Sequence, residues 1–115
     1  AAAEATNAPS VQDAVLRDPL FTLTVDIEPA TVGANQIHLY ATTPDGQPAD
    51  IKQWRVQAVL PEQGIEPIQA AVLPVTAGHA IGQVGLPTAG TWTFSFTLRT
   101  SDIDQATVRA TFVVR

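Results

Sequence analysis

Strict alternation of apolar and polar residues is the dominant signal of this chain. It is cleanest over Thr91-Trp92-Thr93-Phe94-Ser95-Phe96-Thr97-Leu98-Arg99, where every second side chain is large and apolar and every other one polar. Successive side chains of a strand point to opposite faces, so a period of two predicts a β-strand with one face buried. The same period over 20–27 turns Phe21, Leu23, Val25 and Ile27 inward and Thr22, Thr24 and Asp26 outward. Over 34–43 it turns Ile37, Leu39 and Ala41 inward and His38, Tyr40 and Thr42 outward. Over 54–60 the inward set is Trp54, Val56, Ala58 and Leu60. Over 106–114 it is Val108, Ala110, Phe112 and Val114.

Two further stretches are weaker. Pro67 interrupts 65–73, which marks that segment as an edge strand, since proline cannot donate to a ladder. Gly82 and Gly85 lie inside 78–86, where they weaken a strand or mark a bulge. Turn chemistry separates the segments, most plainly at Thr43-Pro44-Asp45-Gly46. About seven short strands at roughly ten-residue spacing, with no amphipathic helical stretch between them, predict an antiparallel β-sandwich of the immunoglobulin-like type. A Greek-key barrel is the alternative. The two tryptophans occupy inward positions of different strands and are expected to meet in the core, where antibody domains carry a disulfide. Residues 1–18 read as a linker-like segment, with a short helical turn over 11–17 and Ser10 as its N-cap. The sandwich domain is expected over 19–115.

Composition narrows the functional classes. The chain has 115 residues, which is the size of one domain. Charged residues make up only 15%, against a norm of roughly 25%. Neutral polar residues cover the outward faces instead. The net charge is −5, from 6 basic and 11 acidic residues. Nucleic acid is therefore not an expected partner, because phosphate binding needs a basic stripe. The chain has no cysteine and no methionine, which excludes a disulfide and a soft-ligand Cu(I) site. No apolar run reaches the roughly 18 residues of a membrane span, so the domain itself is expected not to cross a bilayer. The first ten residues lack a basic stretch followed by an apolar core, so an upstream segment would have to direct the domain out of the cytoplasm.

Few residues offer chemistry. There is no nucleophile elbow and no phosphate-loop lysine, and no catalytic residue is assigned. Asp102 and Asp104 fall between the last two strands and read as a solvated turn. His38 and His79 are the only histidines. His38 reads as a surface residue beside Tyr40, and His79 as a strand-end residue after Gly78. Their functional reading is a pair of imidazole ligands for Cu(II). They can share a site only if the fold brings their strands together. Gly33 and Asn35 read as shaping a turn.

The landmarks also fall into a known order. The segment Pro29-Ala30-Thr31-Val32-Gly33-Ala34-Asn35 resembles the opening of the YtkA-like (FixH-like) domain, and Pro44-Asp45-Gly46 resembles its Asp-Gly hairpin. Gly78-His79-Ala80 and Leu86-Pro87-Thr88-Ala89-Gly90-Thr91-Trp92 resemble its closing motifs, with Ala80 where the family often has tyrosine. The Arg99 to Asp104 stretch is similar to one found where this domain closes copper-resistance proteins of the CopD and YcnJ type. The resemblance covers residues 19–115. It implies a non-enzymatic accessory domain held outside the cytoplasmic membrane behind a membrane-embedded segment, in a copper-homeostasis setting. The implied partners are that membrane-embedded part or another copper-handling protein. Copper is the only cofactor it brings into view, and it does not imply that this domain binds the metal. A Cu(II)-binding chaperone module using His79 and His38 is the second reading, and a structural or adhesive sandwich unrelated to metal the third.

Overall fold

The structure is a computed structural model that describes residues 12–115. Among the described residues, nine strands pack as two antiparallel sheets. In chain order they are β1 (Gln12–Arg17), β2 (Thr22–Glu28), β3 (Gly33–Thr42), β4 (Gln53–Val59), β5 (Ile68–Gln69), β6 (Ala71–Thr76), β7 (His79–Leu86), β8 (Gly90–Arg99) and β9 (Gln105–Val114). The five-stranded sheet has the order β1-β2-β3-β7-β6 and the four-stranded sheet β5-β4-β8-β9. Without β1 and the two-residue β5, the pairings β2-β3-β7-β6 and β4-β8-β9 repeat the ABED and CFG sheets of an immunoglobulin sandwich. The fold is therefore an immunoglobulin-like β-sandwich, with an extra strand on one edge of each sheet. Among the described residues no helix is long and apolar enough to cross a membrane.

The alternation places the core. Phe21, Leu23, Val25, Ile27, Ile37 and Leu39 of the first sheet face Val56, Ala58, Trp92, Phe94, Phe96 and Leu98 of the second, and all are buried. Phe94 is the aromatic centre, edge-on to Phe112 at 5.4 Å and offset from Phe96 at 6.2 Å. On β9 Phe112 and Val114 are buried, while Val108 and Ala110 pack against the core and stay half-exposed.

Four details depart from the sequence reading. Residues 12–17 form a strand, not a helical turn or a linker. Their period is two, with Ala14 and Leu16 packed against the core, and β1 pairs along its length with β2 from Gln12↔Ile27 to Arg17↔Thr22. The expected cap Ser10 and the rest of the linker reading lie outside the described residues. Second, the weak stretch around Pro67 is two strands. Its chain leaves the four-stranded sheet after Gln69 and enters the other at Ala71. Ala70 spans the step and donates its N–H to the Val56 carbonyl at 2.9 Å. Third, β7 runs unbroken through its glycines, and the irregularity lies opposite, on β6 between Pro74 and Thr76. Fourth, the tryptophans do not meet. Trp54 opposes Leu98 and Trp92 lies six residues further along β8, about 20 Å away at the rise of an extended strand. Trp92 is wholly buried, while Trp54 is half-exposed at the other end.

The sandwich is closed on the β1 and β9 side by specific bonds. The Gln12 side-chain amide behaves like a peptide unit. Its Nε2 donates to the Val113 carbonyl, and its Oε1 accepts from the Val113 N–H at 3.0 Å. This ties β1 across to β9. The end of β9 is held by Val32 N–H to the Arg115 carbonyl and Arg115 N–H to the Ala30 carbonyl, at 3.0 and 3.1 Å.

Trp92 and Trp54 should be distinguishable in solution. With Trp54→Phe, the remaining Trp92 emission is expected to be blue-shifted and shielded from acrylamide. With Trp92→Phe, the remaining Trp54 should be quenched readily. Trp92→Ala is expected to cost about 3–5 kcal/mol in urea unfolding, and Trp54→Ala clearly less.

Candidate functional site

The outer face of the five-stranded sheet is where the candidate chemistry gathers. Ladder register sets its rows. One runs Asp13–Asp26–His38–Ile81–Leu73 across β1, β2, β3, β7 and β6. The row beside it runs Glu28–Gln36–Gln83–Ala71, and on the other side Thr24–Tyr40–His79. Directly opposed residues share a face, and on β2, β3 and β7 each of these alternates with a buried neighbour.

Both histidines therefore stand on one face, on neighbouring strands. His79 opposes Tyr40, and His38 is one diagonal step away, opposite Ile81. The His79 ring stacks on Tyr40 with centroids 4.5 Å apart and planes 13° from parallel. Its Nε2 is enclosed and has no hydrogen-bond partner among the described residues. His38 Nε2 stands 3.3 Å from Glu28 Oε2. Among the described residues, no three or more histidines or carboxylates converge as a metal-holding group. As arranged, His79 keeps its Nε2 enclosed and His38 its Nε2 beside Glu28, and among the described residues no third histidine or carboxylate converges on both rings.

The carboxylates between the last strands serve a turn. The Ser101 hydroxyl donates to Asp104 Oδ2 at 3.2 Å and accepts the Ile103 and Asp104 N–H groups at 3.3 and 3.1 Å. The Asp104 carbonyl accepts from the Thr100 N–H at 2.9 Å. Asp102 is exposed beside this knot.

The landmark residues have structural jobs. Asn35 is the buried polar side chain of the core, 3% exposed. Its Oδ1 accepts from the N–H groups of Ala30 and Thr31 at 2.7 and 3.2 Å, and its Nδ2 donates to the carbonyls of Thr31 and Gly33 at 2.8 and 3.0 Å. One amide thereby organises the β2–β3 loop, in which Ala30 holds a φ of 62°. Gly78 lies against Ala41 and Ala49, and a Cβ there would fall 2.6 Å from the Ala41 carbonyl oxygen. Its own carbonyl accepts from the Ala41 N–H at 2.7 Å. Trp92 Nε1 donates to the Thr88 carbonyl at 3.0 Å and closes the β7–β8 turn. In the Asp-Gly hairpin, the Thr43 hydroxyl donates to the Asp45 carboxylate and accepts the Gln47 N–H at 3.1 Å.

Sequence reasoning missed several residues of this face. Residue type and spacing do not single out Glu28, Gln36 and Gln83. Leu73 sits in the stretch whose parity the sheet switch scrambles, yet it is 70% exposed on the outer face. A shallow groove of about 470 Å³ lies between Leu73, Ile81, Ala71, Val72, Gln36 and Gln83. A second, of about 390 Å³, runs from Gln36 and Gln83 to Glu28 and Pro29.

No protein-family model, no curated protein and no solved structure matches this chain significantly.

Asn35→Ala should destabilise the domain by about 2–3 kcal/mol, because it leaves the buried Ala30 and Thr31 N–H groups without an acceptor. Asn35→Asp should not restore it, since a carboxylate cannot supply the two donated bonds. Gly78→Ala is expected to cost about 2 kcal/mol or more, from the positive φ and the Ala41 contact. Urea unfolding of the three variants checks these values.

Proposed function

We propose that this chain is a non-enzymatic accessory domain of a membrane copper-transport or copper-resistance protein, held outside the cytoplasm and working by contact. Its partner is the membrane-embedded part of the same protein or another copper-handling protein. The observation that carries this reading is the ordered set of landmarks from Pro29 through Gly78 to Trp92, in a chain that folds as a β-sandwich. The outer face of the five-stranded sheet supports the contact half of it. That face carries exposed Leu73, Val15 and Tyr40 among polar and acidic side chains.

A second reading, a Cu(II)-binding module, draws support from one observation: His38 and His79 share a face on neighbouring strands. Titration of the purified domain with Cu(II) separates the two. The contact reading expects the same weak, non-stoichiometric response from the wild type and from the His38→Ala, His79→Ala double variant. A one-to-one site lost in the double variant would favour the metal module.

The leading reading is tested in the full-length gene product. Protease added from outside the cytoplasmic membrane should cleave the domain while the remainder stays in the membrane fraction. Deleting residues 12–115 should change cellular copper accumulation without removing the membrane-embedded part. A product found in the cytosolic fraction, or copper accumulation unchanged by the deletion, would contradict it.

A further inference from the structure

β9 is the last strand of the four-stranded sheet, paired on one side with β8 and with no described strand on the other. The bonds at its end fix the direction of its peptide groups. The Val113 N–H and carbonyl turn away from β8 to the Gln12 amide, and those of Arg115 turn away to Ala30 and Val32. Peptide groups alternate in direction along a strand. Those of Thr111, Arg109, Thr107 and Gln105 therefore also point away from β8, and among the described residues none bonds to them on that side. The closure of the sandwich thus holds β9 at one end and leaves seven residues, 105–111, as an open ladder.

The other edges are blunted. β6 is irregular between Pro74 and Thr76, β5 has two residues, and β1 has six, with Asp13 and Arg17 among them. The edge of β9 carries no such device. Its ladder with β8 runs without a shift from Gly90↔Val114 to Arg99↔Gln105, it holds no proline, and its one charge, Arg109, alternates with the inward residues and so lies on the outer face. On the inner face, Ala106, Val108 and Ala110 pack against the core yet stay half-exposed. A strand added beside β9 would satisfy the free peptide groups and cover this apolar row together.

We propose that the free edge of β9 docks a second copy of this chain, β9 against β9 and antiparallel, about a two-fold axis at Val108. The strand is self-complementary in that register. Val108 meets Val108 of the second copy, and Ala106 meets Ala110, so the apolar row continues across the junction. These are the non-hydrogen-bonded pairs, whose side chains come closest. Thr107 opposes Arg109 and Gln105 opposes Thr111. These pairs exchange about eight backbone hydrogen bonds in all. Each guanidinium faces a threonine, so like charges do not oppose directly. Neighbouring registers are worse. Centring on Arg109 would set the two guanidinium groups against each other, centring on Ala110 would need the Val113 peptide that Gln12 holds, and centring on Thr107 or Ala106 would shorten the ladder. The contact is isologous and closes at two copies, joining the two four-stranded sheets into one. It involves neither copper nor a membrane and stands apart from the function proposed above.

The full chain is the probe. Sedimentation equilibrium from about 10 μM to about 1 mM should show a monomer and a dimer in exchange, with a Kd of about 100 μM or tighter. Amide hydrogen exchange supplies the register. The Thr107, Arg109 and Thr111 amides should become at least tenfold more protected between the lowest and highest concentration. The Ala106, Val108 and Ala110 amides, which bond to β8, should be protected throughout. Arg109→Pro removes an N–H that the β8 ladder does not use, and Val108→Lys sets a charge at the centre of the junction. Each should weaken the dimer at least tenfold while the chain stays folded. A monomer at about 1 mM would overturn the proposal. So would a dimer in which the Thr107, Arg109 and Thr111 amides exchange at the monomer's rate, or one that Leu73→Asp and not Val108→Lys dissociates. Full protection of those amides at the lowest concentration, where the chain is monomeric, would also overturn it, because the edge would then be covered within one chain. The wild-type exchange pattern decides the question even if either variant fails to fold.

Discussion

The pleat of β8, and the burial of one of its faces, is the constraint on which the rest of this molecule depends. Trp92, Phe94, Phe96 and Leu98 are all buried, and the residues between them are Thr93, Ser95 and Thr97. A slip of one residue against β4 or β9 would expose four large apolar groups and bury three hydroxyls. The register of the four-stranded sheet follows. The facing row from Phe21 to Ile27 fixes the other sheet in the same way. With both inner faces fixed, every outer-face row is fixed too, including the row that carries Asp26, His38, Ile81 and Leu73. The chain has no disulfide to do this work. Its closures are polar: the Gln12 amide on β9, the Asn35 amide in the β2–β3 loop, and the Trp92 ring on Thr88.

This division of labour changes the meaning of the family-like landmarks. Asn35, Gly78, Gly90 and Trp92 form turns and close approaches. Gly90, for instance, holds a φ of 148° with the Leu60 side chain where a Cβ would reach. Such residues specify a sandwich. His79 follows Gly78 into a stack on Tyr40. The proposed contact reading rests on the outer surface. Charge is unevenly spread there, with Asp13, Asp26 and Glu28 beside Arg17 on the five-stranded sheet and Arg55, Arg99 and Arg109 on the four-stranded one.

Most of the fold was legible because its strands are half-buried and alternate strictly. The inward sets of β2, β3 and β8 could be read residue by residue. Reading failed where period two is broken or carries little contrast. In β1 the alternation rests on Ala14 and Leu16 alone, and its short apolar run imitates a helical turn. Between Ile68 and Thr76 the chain changes sheets, so no single parity holds, and Leu73 could not be assigned a face. Trp54 and Trp92 were correctly placed inward, but position along the paired strands, which sequence alone does not supply, keeps them at opposite ends. The candidate site was half-legible. His38 and His79 stood out by residue type, whereas Glu28, Gln36 and Gln83 matter only through a cross-strand register that brings together residues up to 55 positions apart.

The central claim is that this module acts through its outer face by contact and not through its imidazoles. Copper accumulation in cells carrying full-length protein with either Leu73→Asp or the pair His38→Gln, His79→Gln tests it most directly, once both variants are shown to fold and to reach the membrane. The account predicts that Leu73→Asp reproduces the effect of deleting the domain, while the histidine pair stays close to wild type. Normal accumulation with Leu73→Asp, together with loss in the histidine pair, would contradict it.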